Sequence, residues 1–373
     1  MRRITSLTLR DIRSYEAFDA RLTGRSVVIT GPNGTGKTNL LETLTLFGAG
    51  RGLRGAKLSD VVRQGASHAP GAAMSLAEDG DDDPLRLVVS IAPPRHDKRE
   101  VKVDGEPVKG AAALGEIVRF LWLIPAMDRL FMDAPSERRR FLDRIAAAGA
   151  ADHATNAARY EKAMRQRMVL LEQGGDPSLI ELFEKEMAEA GVAMTATRRE
   201  TAQSLAAGYE ALRQEAFPRA GVFVEGDVDL LFAEHGVDAA QDLFRERLVR
   251  NRRIDRDAKR TLFGPHRSDL TVSHEGKNMP AKLCSTGEQK ALLIGLILAR
   301  AQAAKERTGA SLVLLLDEIV AHLDEIRRKA LAETLEQLGL QAFLTGTDED
   351  AFAPFFATMD HLQPALGGHV VSP

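Results

Sequence analysis

The first fifty positions change period twice. ITSLTLRDI, residues 4 to 12, alternates polar and apolar residues and predicts a half-buried strand. SVVIT, residues 26 to 30, is a short buried-type run, and an apolar helix follows from Leu40, giving a βα opening. From Leu85 the pattern stays extended through LRLVVSI and REVKVDGEPV, where Asp104-Gly105 is a two-residue hairpin signal. RFLWLIP, residues 119 to 125, predicts another buried strand ending at a proline, and a domain boundary is expected there.

Beyond it, residues 136 to about 217 are rich in Ala, Glu, Arg and Met. Apolar positions recur at helical spacing: Tyr160, Met164, Met168 and Leu171, then Phe183, Met187 and Met194, then Leu205, Tyr209 and Leu212. Breaks at Gly174-Gly175-Asp176-Pro177 and Phe217-Pro218 divide this stretch into separate helices, and no heptad register persists long enough for a coiled-coil arm. An extended piece, VFVEGDVDLLF, precedes a helix through the basic stretch 245 to 260. Alternation at DLTVSHEGK then marks the expected return of the first lobe. A helix over 283–304, an apolar strand over 311–316, a helix over 325–338 and a strand at QAFLT complete a strand-helix alternation that predicts a parallel sheet. The expected class is α/β, with residues 1–125 and 261–373 forming one lobe and 126–260 a mostly helical insert.

Composition changes this picture little. A length of 373 residues fits two lobes, and 44% hydrophobic with 28% charged residues describes a chain that folds. One cysteine, Cys284, cannot form an internal disulfide. The N-terminal MRRITSLTLRDIRSYE lacks a continuous apolar run, and no stretch of about 18 uncharged apolar residues occurs, so a cytoplasmic protein with no membrane association is expected. A net charge of -3 gives no global support for nucleic-acid binding, which must rest on local clusters. Aromatic content of 5% disfavours single-strand binding by base stacking.

The chemistry is carried by three motifs. GPNGTGKT comprises Gly31, Pro32, Asn33, Gly34, Thr35, Gly36, Lys37 and Thr38, with Asn39 following, and matches the P-loop pattern between a strand and a helix. Its backbone N–H groups would cradle the phosphates of ATP, Lys37 would neutralise phosphate oxygens and act in catalysis, and Thr38 would ligate Mg²⁺. SLVLLLDE, residues 311 to 318, ends an apolar strand in two acids at the carboxyl end, where open α/β sheets bind ligands. Asp317 is expected to hold the Mg²⁺ shell and Glu318 to polarise the attacking water as catalytic base. In CSTGEQKALL, Ser285, Thr286, Gly287 and Glu288 have capping-box spacing, with Ser285 as the cap. A plain cap explains the motif locally, yet glycine in a first helical turn costs about 1 kcal/mol against alanine and suits close approach of a ligand to bare backbone.

In the order P-loop, STGEQ helix, acidic strand, the chain resembles the ABC ATPases, in which this signature helix binds the γ-phosphate of ATP held by a second subunit. His322-Leu323-Asp324 is similar to the loop that crosses the dimer interface in that family, which places Asp324 among the nucleotide-binding candidates. Two departures stand out: Thr345 and Thr347 occupy the strand where many such proteins carry a switch histidine, and no glutamine follows LWLIP. They leave slow or weakly regulated hydrolysis open.

LTLRDIRSYE, WLIPAMDRLFMDAPSERRRFLD and TLFGPHRSDL, together with the nucleotide motifs, resemble the RecF family of bacterial recombination-mediator ATPases from end to end. The resemblance implies an ABC-ATPase head with a β-rich flank and an inserted helical lobe, and an ATP-dependent homodimer. It also implies binding to double-stranded, gapped or junction DNA, and action with RecO and RecR. Two basic clusters bear on DNA: Arg138, Arg139, Arg140 and Arg144, and Arg245, Arg247, Arg250, Arg252, Arg253, Arg256, Lys259 and Arg260. Asp242, Glu246, Asp255, Asp257 and Asp269 dilute the second, so for it a phosphate-tracking face and a solvated salt-bridged helix both remain open. His266 and Arg267 receive no role. An ATPase subunit of a membrane transporter and a small-molecule P-loop kinase are the competing classes.

Overall fold

Strand β1 (Arg3–Ile12) turns Ile4, Leu7 and Leu9 inward, and the parity change between Ile4 and Leu7 coincides with a register shift between Ile4 and Ser6. It pairs antiparallel with β2 (Tyr15–Arg21), a strand the sequence pattern does not announce because YEAFDAR mixes acids with its inward Tyr15, Phe18 and Ala20. The computed structural model describes the chain apart from residues 51, 67–68, 79–82, 93–97, 110, 213–214, 306–310, 322, 365–369 and 372–373. Of the acidic loop Glu78 to Asp83, only its ends are therefore described.

The buried strand β3 (Val27–Thr30) leads through the glycine-rich loop into α1 (Lys37–Thr45), which starts three residues earlier than its apolar pattern suggests. A short helix α2 (Leu58–Val61) precedes β4 (Gly71–Ala77), β5 (Leu85–Ile91), β6 (Arg99–Val103) and β7 (Glu106–Pro107). These join the first two strands in one antiparallel sheet of order β2-β1-β4-β5-β6-β7, the β-rich flank. Asp104 and Gly105, with φ of 48° and 89°, form the expected hairpin turn. Helix α3 (Ala111–Ile117) leads into β8 (Val118–Leu123).

The chain then enters a helical region: α4 (Pro135–Ala147), α5 (His153–Gln173) and the 36-residue α6 (Pro177–Leu212). Pro135 opens α4, and Gly174, at the break expected there, closes α5 in the left-handed conformation. Strand β9 (Ala220–Glu225) is shorter than the extended run expected, because Asp227 already begins α7 (Asp227–Arg250). Asp227 and Asp229 suit a first helical turn, and Gly236, with φ of 77°, breaks α7 into two pieces. Helix α8 (Arg252–Ala258) follows, then β10 (Asp269–His274), β11 (Met279–Pro280) and α9 (Thr286–Lys305).

Strand β12 (Ser311–Leu316), helix α10 (Glu325–Leu338), and strands β13 (Gln341–Gly346), β14 (Asp360–Pro364) and β15 (Val370–Val371) complete the chain. They form a second six-stranded sheet, β15-β14-β3-β13-β12-β8, in which β14, β3, β13, β12 and β8 are parallel. Every residue of β3, β12 and β13 is buried, the mark of a central parallel strand covered on both faces. One apolar cluster joins this sheet, α1 and the antiparallel sheet through Val27, Ile29, Leu40, Leu44, Leu7, Leu9, Leu315 and Phe343.

Two compact units result: residues 1–128, 211–217 and 301–373, and residues 129–210 and 218–300. The first break falls at residue 128. Residues 261–300, expected with the head, fall instead in the second unit, for two reasons. β10 pairs along its whole length with β9, making a three-stranded sheet with β11, so DLTVSHEGK is part of the helical unit and not the return of the first. Near the end of α9, Arg300 donates to the Ile145 carbonyl of α4 at 2.5 Å, and Gly208 of α6 lies so close to the Ala299 carbonyl that a Cβ would clash. The second unit has its own core, built on Tyr160, Met187, Met194, Val228, Phe244 and Leu248. Helix α5 also turns Arg167 fully inward, where it meets Glu184, Asp255 and the Leu248 carbonyl.

Candidate nucleotide site

The glycine-rich loop joins the carboxyl end of β3 to α1, the crevice where parallel sheets take ligands. Gly31, Gly34 and Gly36 have φ of 146°, 86° and 94°, so the loop curls in a conformation that side chains resist. Gly36 is the tightest: a Cβ there would lie 2.6 Å from the Tyr15 hydroxyl and 2.7 Å from that of Ser14. Those two residues roof the loop from the β1–β2 turn, with Tyr15 donating to the Thr35 carbonyl at 3.2 Å. Burial holds the Tyr15 phenol well above its ordinary range, which keeps it a donor. Asn39 donates to Ser14 at 3.0 Å.

Lys37 is 5% exposed, and its ammonium donates to the Gly31 and Pro32 carbonyls at 2.7 and 2.9 Å. The charge is folded over the loop it would serve when phosphate oxygens replace those carbonyls. Thr38, next on the helix, donates to both oxygens of Asp317 at 2.9 and 3.1 Å, which brings the P-loop threonine and the strand-end acid together. Asp317 caps the buried β12, its own N–H donating to the Leu123 carbonyl of β8 at 2.9 Å. Hydroxyl and carboxylate are hard oxygen donors of the kind Mg²⁺ takes alongside phosphate and water, so these residues fit that ion. Among the described residues no group of three or more His, Cys, Asp or Glu side chains is arranged for a metal.

Glu318 is half-buried beside Asp317, with φ of 50°. A non-glycine residue held in that region costs on the order of 1–3 kcal/mol, so the surrounding structure must impose it. Asp324 caps α10 by accepting from the Arg327 N–H at 2.8 Å. It thus has a local structural duty, whatever else it touches; His322 lies outside the described residues.

The STGEQ element belongs to the second unit. Ser285 and Glu288 form the expected capping box: the Ser285 N–H and hydroxyl both donate to Glu288 at 2.9 Å, and the Glu288 N–H reaches the Ser285 hydroxyl at 3.4 Å. Lys277 also pairs with Glu288, and this ammonium, followed by the Ser285 donors, pulls the carboxyl down to about 2. Ser285, Thr286 and Gly287 are exposed, and a Cβ at Gly287 would meet nothing within 4 Å. The cap explains Ser285 and Glu288; it does not explain the open glycine between them.

Several contributors escape sequence reasoning. Glu42, 2% exposed on α1, binds Arg13 through two bonds of 2.8 Å and Arg54 at 3.2 Å, and Arg54 also reaches Asn39 at 3.1 Å. A charged residue inside an apolar helix pattern is the signal that such a pair exists, but not where the partners lie. The basic clusters are largely absorbed by structure. Arg138 makes a two-pronged pair with Asp269, Arg139 donates to the Ser268 carbonyl, Arg140 pairs with Glu137, and burial lowers Arg144 to about 9. In the second cluster Arg245 pairs with Asp242, Arg250 with Glu246, Arg252 with Glu184, and Arg253 and Arg256 with Asp257. His266 accepts a structural role between the Tyr160 hydroxyl at 2.7 Å and the Thr261 carbonyl at 2.9 Å.

With this geometry in place, similarities to known proteins become informative. The family described as RecF/RecN/SMC N terminal domain matches residues 3–359. A DNA replication and repair protein RecF from Allorhizobium ampelinum is 46% identical over 367 residues, covering 96% of this chain and 97% of its own. The RecF of Caulobacter sp. strain K31 is 42% identical over 385 residues, covering 98% and 96%. A solved structure of the recombination mediator protein RecF with ATP superposes with a TM-score of 0.81 at 22% identity, covering 100% of this chain and 99% of that one. An Smc head domain from Pyrococcus furiosus reaches 0.53 at 18%, covering 100% and 96%; these two comparisons speak to fold alone. No helix among the described residues is long and apolar enough to cross a membrane. A family match along nearly the whole chain, with RecF relatives 46% and 42% identical and covered almost end to end, establishes that this chain belongs to the RecF family.

Proposed function

We propose that the protein is an ATP-dependent DNA-binding protein of recombinational repair and replication-gap processing. ATP binding closes two copies of the chain on double-stranded DNA at gaps or junctions, and mediator partners of the RecO and RecR kind act with it to load the recombinase. The observation that carries this reading is the pairing of Thr38 with Asp317 beneath a complete P-loop, in a chain whose STGEQ helix tip is open to solvent. Two half-sites of this kind suit a nucleotide shared between copies: Lys37 and the loop backbone on the triphosphate from one side, and Ser285, Thr286 and the bare Gly287 of the second copy from the other.

Mg²⁺ held by Thr38 and Asp317 would neutralise charge on the β- and γ-phosphates. Glu318 orients the attacking water and takes its proton, while Lys37 stabilises charge on the transferred phosphoryl group. With Thr345 in the strand where a switch histidine would be looked for, turnover is slow and serves to open the clamp. The curated relatives carry the repair name along nearly the whole chain, which lends no support to a transporter subunit or a small-molecule kinase. A titration of the full chain on gapped duplex tests the proposal. ATP should raise affinity for the parent and not for Lys37→Met; equal affinity with and without ATP in both would overturn it.

A further inference from the structure

The residue standing where a switch histidine would be looked for has a specific task. Thr345 lies at the carboxyl end of β13, between β12 and β3, and is fully buried. A hydroxyl in a fully buried strand must find partners, and this one finds two at the site. It donates to Asp317 Oδ1 at 2.6 Å and accepts the Glu318 N–H at 3.0 Å. The same Asp317 oxygen accepts from Thr38 at 2.9 Å. One hydroxyl therefore grips the side chain of one acid and the backbone of the next, across the peptide where the chain turns to its left-handed φ of 50° at Glu318. The Glu318 N–H lies two residues past the last paired residue of β12, and Thr345 Oγ1 is what receives it.

We propose that Thr345 is the positioning residue of the hydrolytic centre: its hydroxyl locks the Asp317-Glu318 turn, so that Asp317 stays on Thr38 while Glu318 is projected clear of it toward the attacking water. The proposal rests on the reading of Glu318 as the base and adds what holds it. Valine at this position keeps the shape but leaves a buried carboxylate oxygen short of one donor and the half-buried Glu318 N–H without its acceptor, and the turn relaxes. The consequence falls on turnover, because the phosphate cradle of Gly31 to Lys37 is built independently of this hydroxyl.

The test compares full-length parent, Thr345→Val, Thr345→Ser, Glu318→Gln and the double variant Thr345→Val/Glu318→Gln. Affinity is read with a fluorescent ATP analogue without Mg²⁺, and turnover is read at saturating ATP with Mg²⁺. Thr345→Val should hold nucleotide within about twofold of the parent and turn over about tenfold or more slowly, and Thr345→Ser should recover most of that loss. The double variant should be no slower than Glu318→Gln alone, within about twofold, since the hydroxyl works through that side chain. Parental turnover in Thr345→Val, a matching loss of affinity, or a fully multiplicative loss in the double variant would each overturn the proposal with the base assignment intact. Parental turnover in Glu318→Gln would instead remove the base assignment, and the positioning role with it. Should Thr345→Val fail to fold, Thr345→Ala takes its place, and a folding failure shared by both would make the hydroxyl a structural requirement and overturn the positioning role.

Discussion

The Thr38 hydroxyl and the Asp317 carboxylate are hydrogen-bonded at 2.9 Å although 279 positions separate them in the chain. That bond ties the first turn of α1, which follows β3, to the end of β12, and the parallel sheet puts only β13 between those two strands. The site is thus set by topology as much as by motif.

Substituting Gly36 with alanine should abolish tight nucleotide binding. The new methyl would lie 2.6 Å from the Tyr15 hydroxyl at a φ of 94°, so neither the roof nor the backbone can accept it. Titration with a fluorescent ATP analogue should show affinity reduced by about tenfold or more, a loss that Tyr15→Phe does not repair because the backbone strain persists. Restored binding in that double variant would point to the roof alone.

The capping box at the head of α9 should survive mild acid. The carboxyl of Glu288, at about 2, lies below its ordinary value of 4.5. A group with a depressed folded value adds stability that is fully present above 4.5 and is lost as pH falls through about 2. Carboxyl NMR of Glu288 in the folded chain should therefore titrate near 2 in the parent and move up toward 4.5 in Lys277→Ala. A midpoint already at 4.5 in the parent would mean that the pairing with Lys277 is absent in solution.

Arg167 is fully buried against Glu184 and Asp255, so Arg167→Met should strand carboxylates inside the second unit. The loss is on the order of 3–5 kcal/mol, measurable as a lowered urea midpoint. A change below about 1 kcal/mol would show that the remaining bonds, Arg252 to Glu184 among them, satisfy those groups unaided.

DNA affinity should depend on the exposed cations at the end of the second basic cluster. Arg253 is 87% exposed at its side chain, and Lys259 and Arg260 are exposed with it. Replacing all three by alanine should weaken binding to gapped duplex and flatten the slope of log affinity against log salt by about 0.9 for each phosphate contact removed. An unchanged slope would assign the cluster to the solvated, salt-bridged helix.

How much of this was legible beforehand follows physical lines. The P-loop, the Asp317-Glu318 strand end and the Ser285 cap were legible because each is local: a handful of adjacent residues whose spacing dictates backbone shape. Strands β12 and β13 and helix α10 were legible because burial on both faces, or a clean cap at Asp324 and stop at Gly339, leaves one pattern. What was hidden depends on partners far away in sequence. Strand β2 escapes because its solvent face carries acids, and DLTVSHEGK reads as part of the head because nothing local reveals that it pairs with β9. Likewise Arg138 reads as free positive charge until Asp269 is found opposite it. Thr345 reads as a missing histidine until its two hydrogen bonds are seen.

Each nucleotide should be held by Lys37 of one copy and the Ser285 tip of another, and complementation between two defective chains probes that sharing. Lys37→Met and Ser285→Arg are each expected to stay monomeric with ATP and gapped duplex by light scattering. Mixed together they should form a dimer, because the pair regains one intact composite site, Lys37 from the Ser285→Arg chain and Ser285 from the Lys37→Met chain. A Ser285→Arg chain that dimerises with ATP like the parent, or a mixture as inert as its parts, would contradict the shared-nucleotide account.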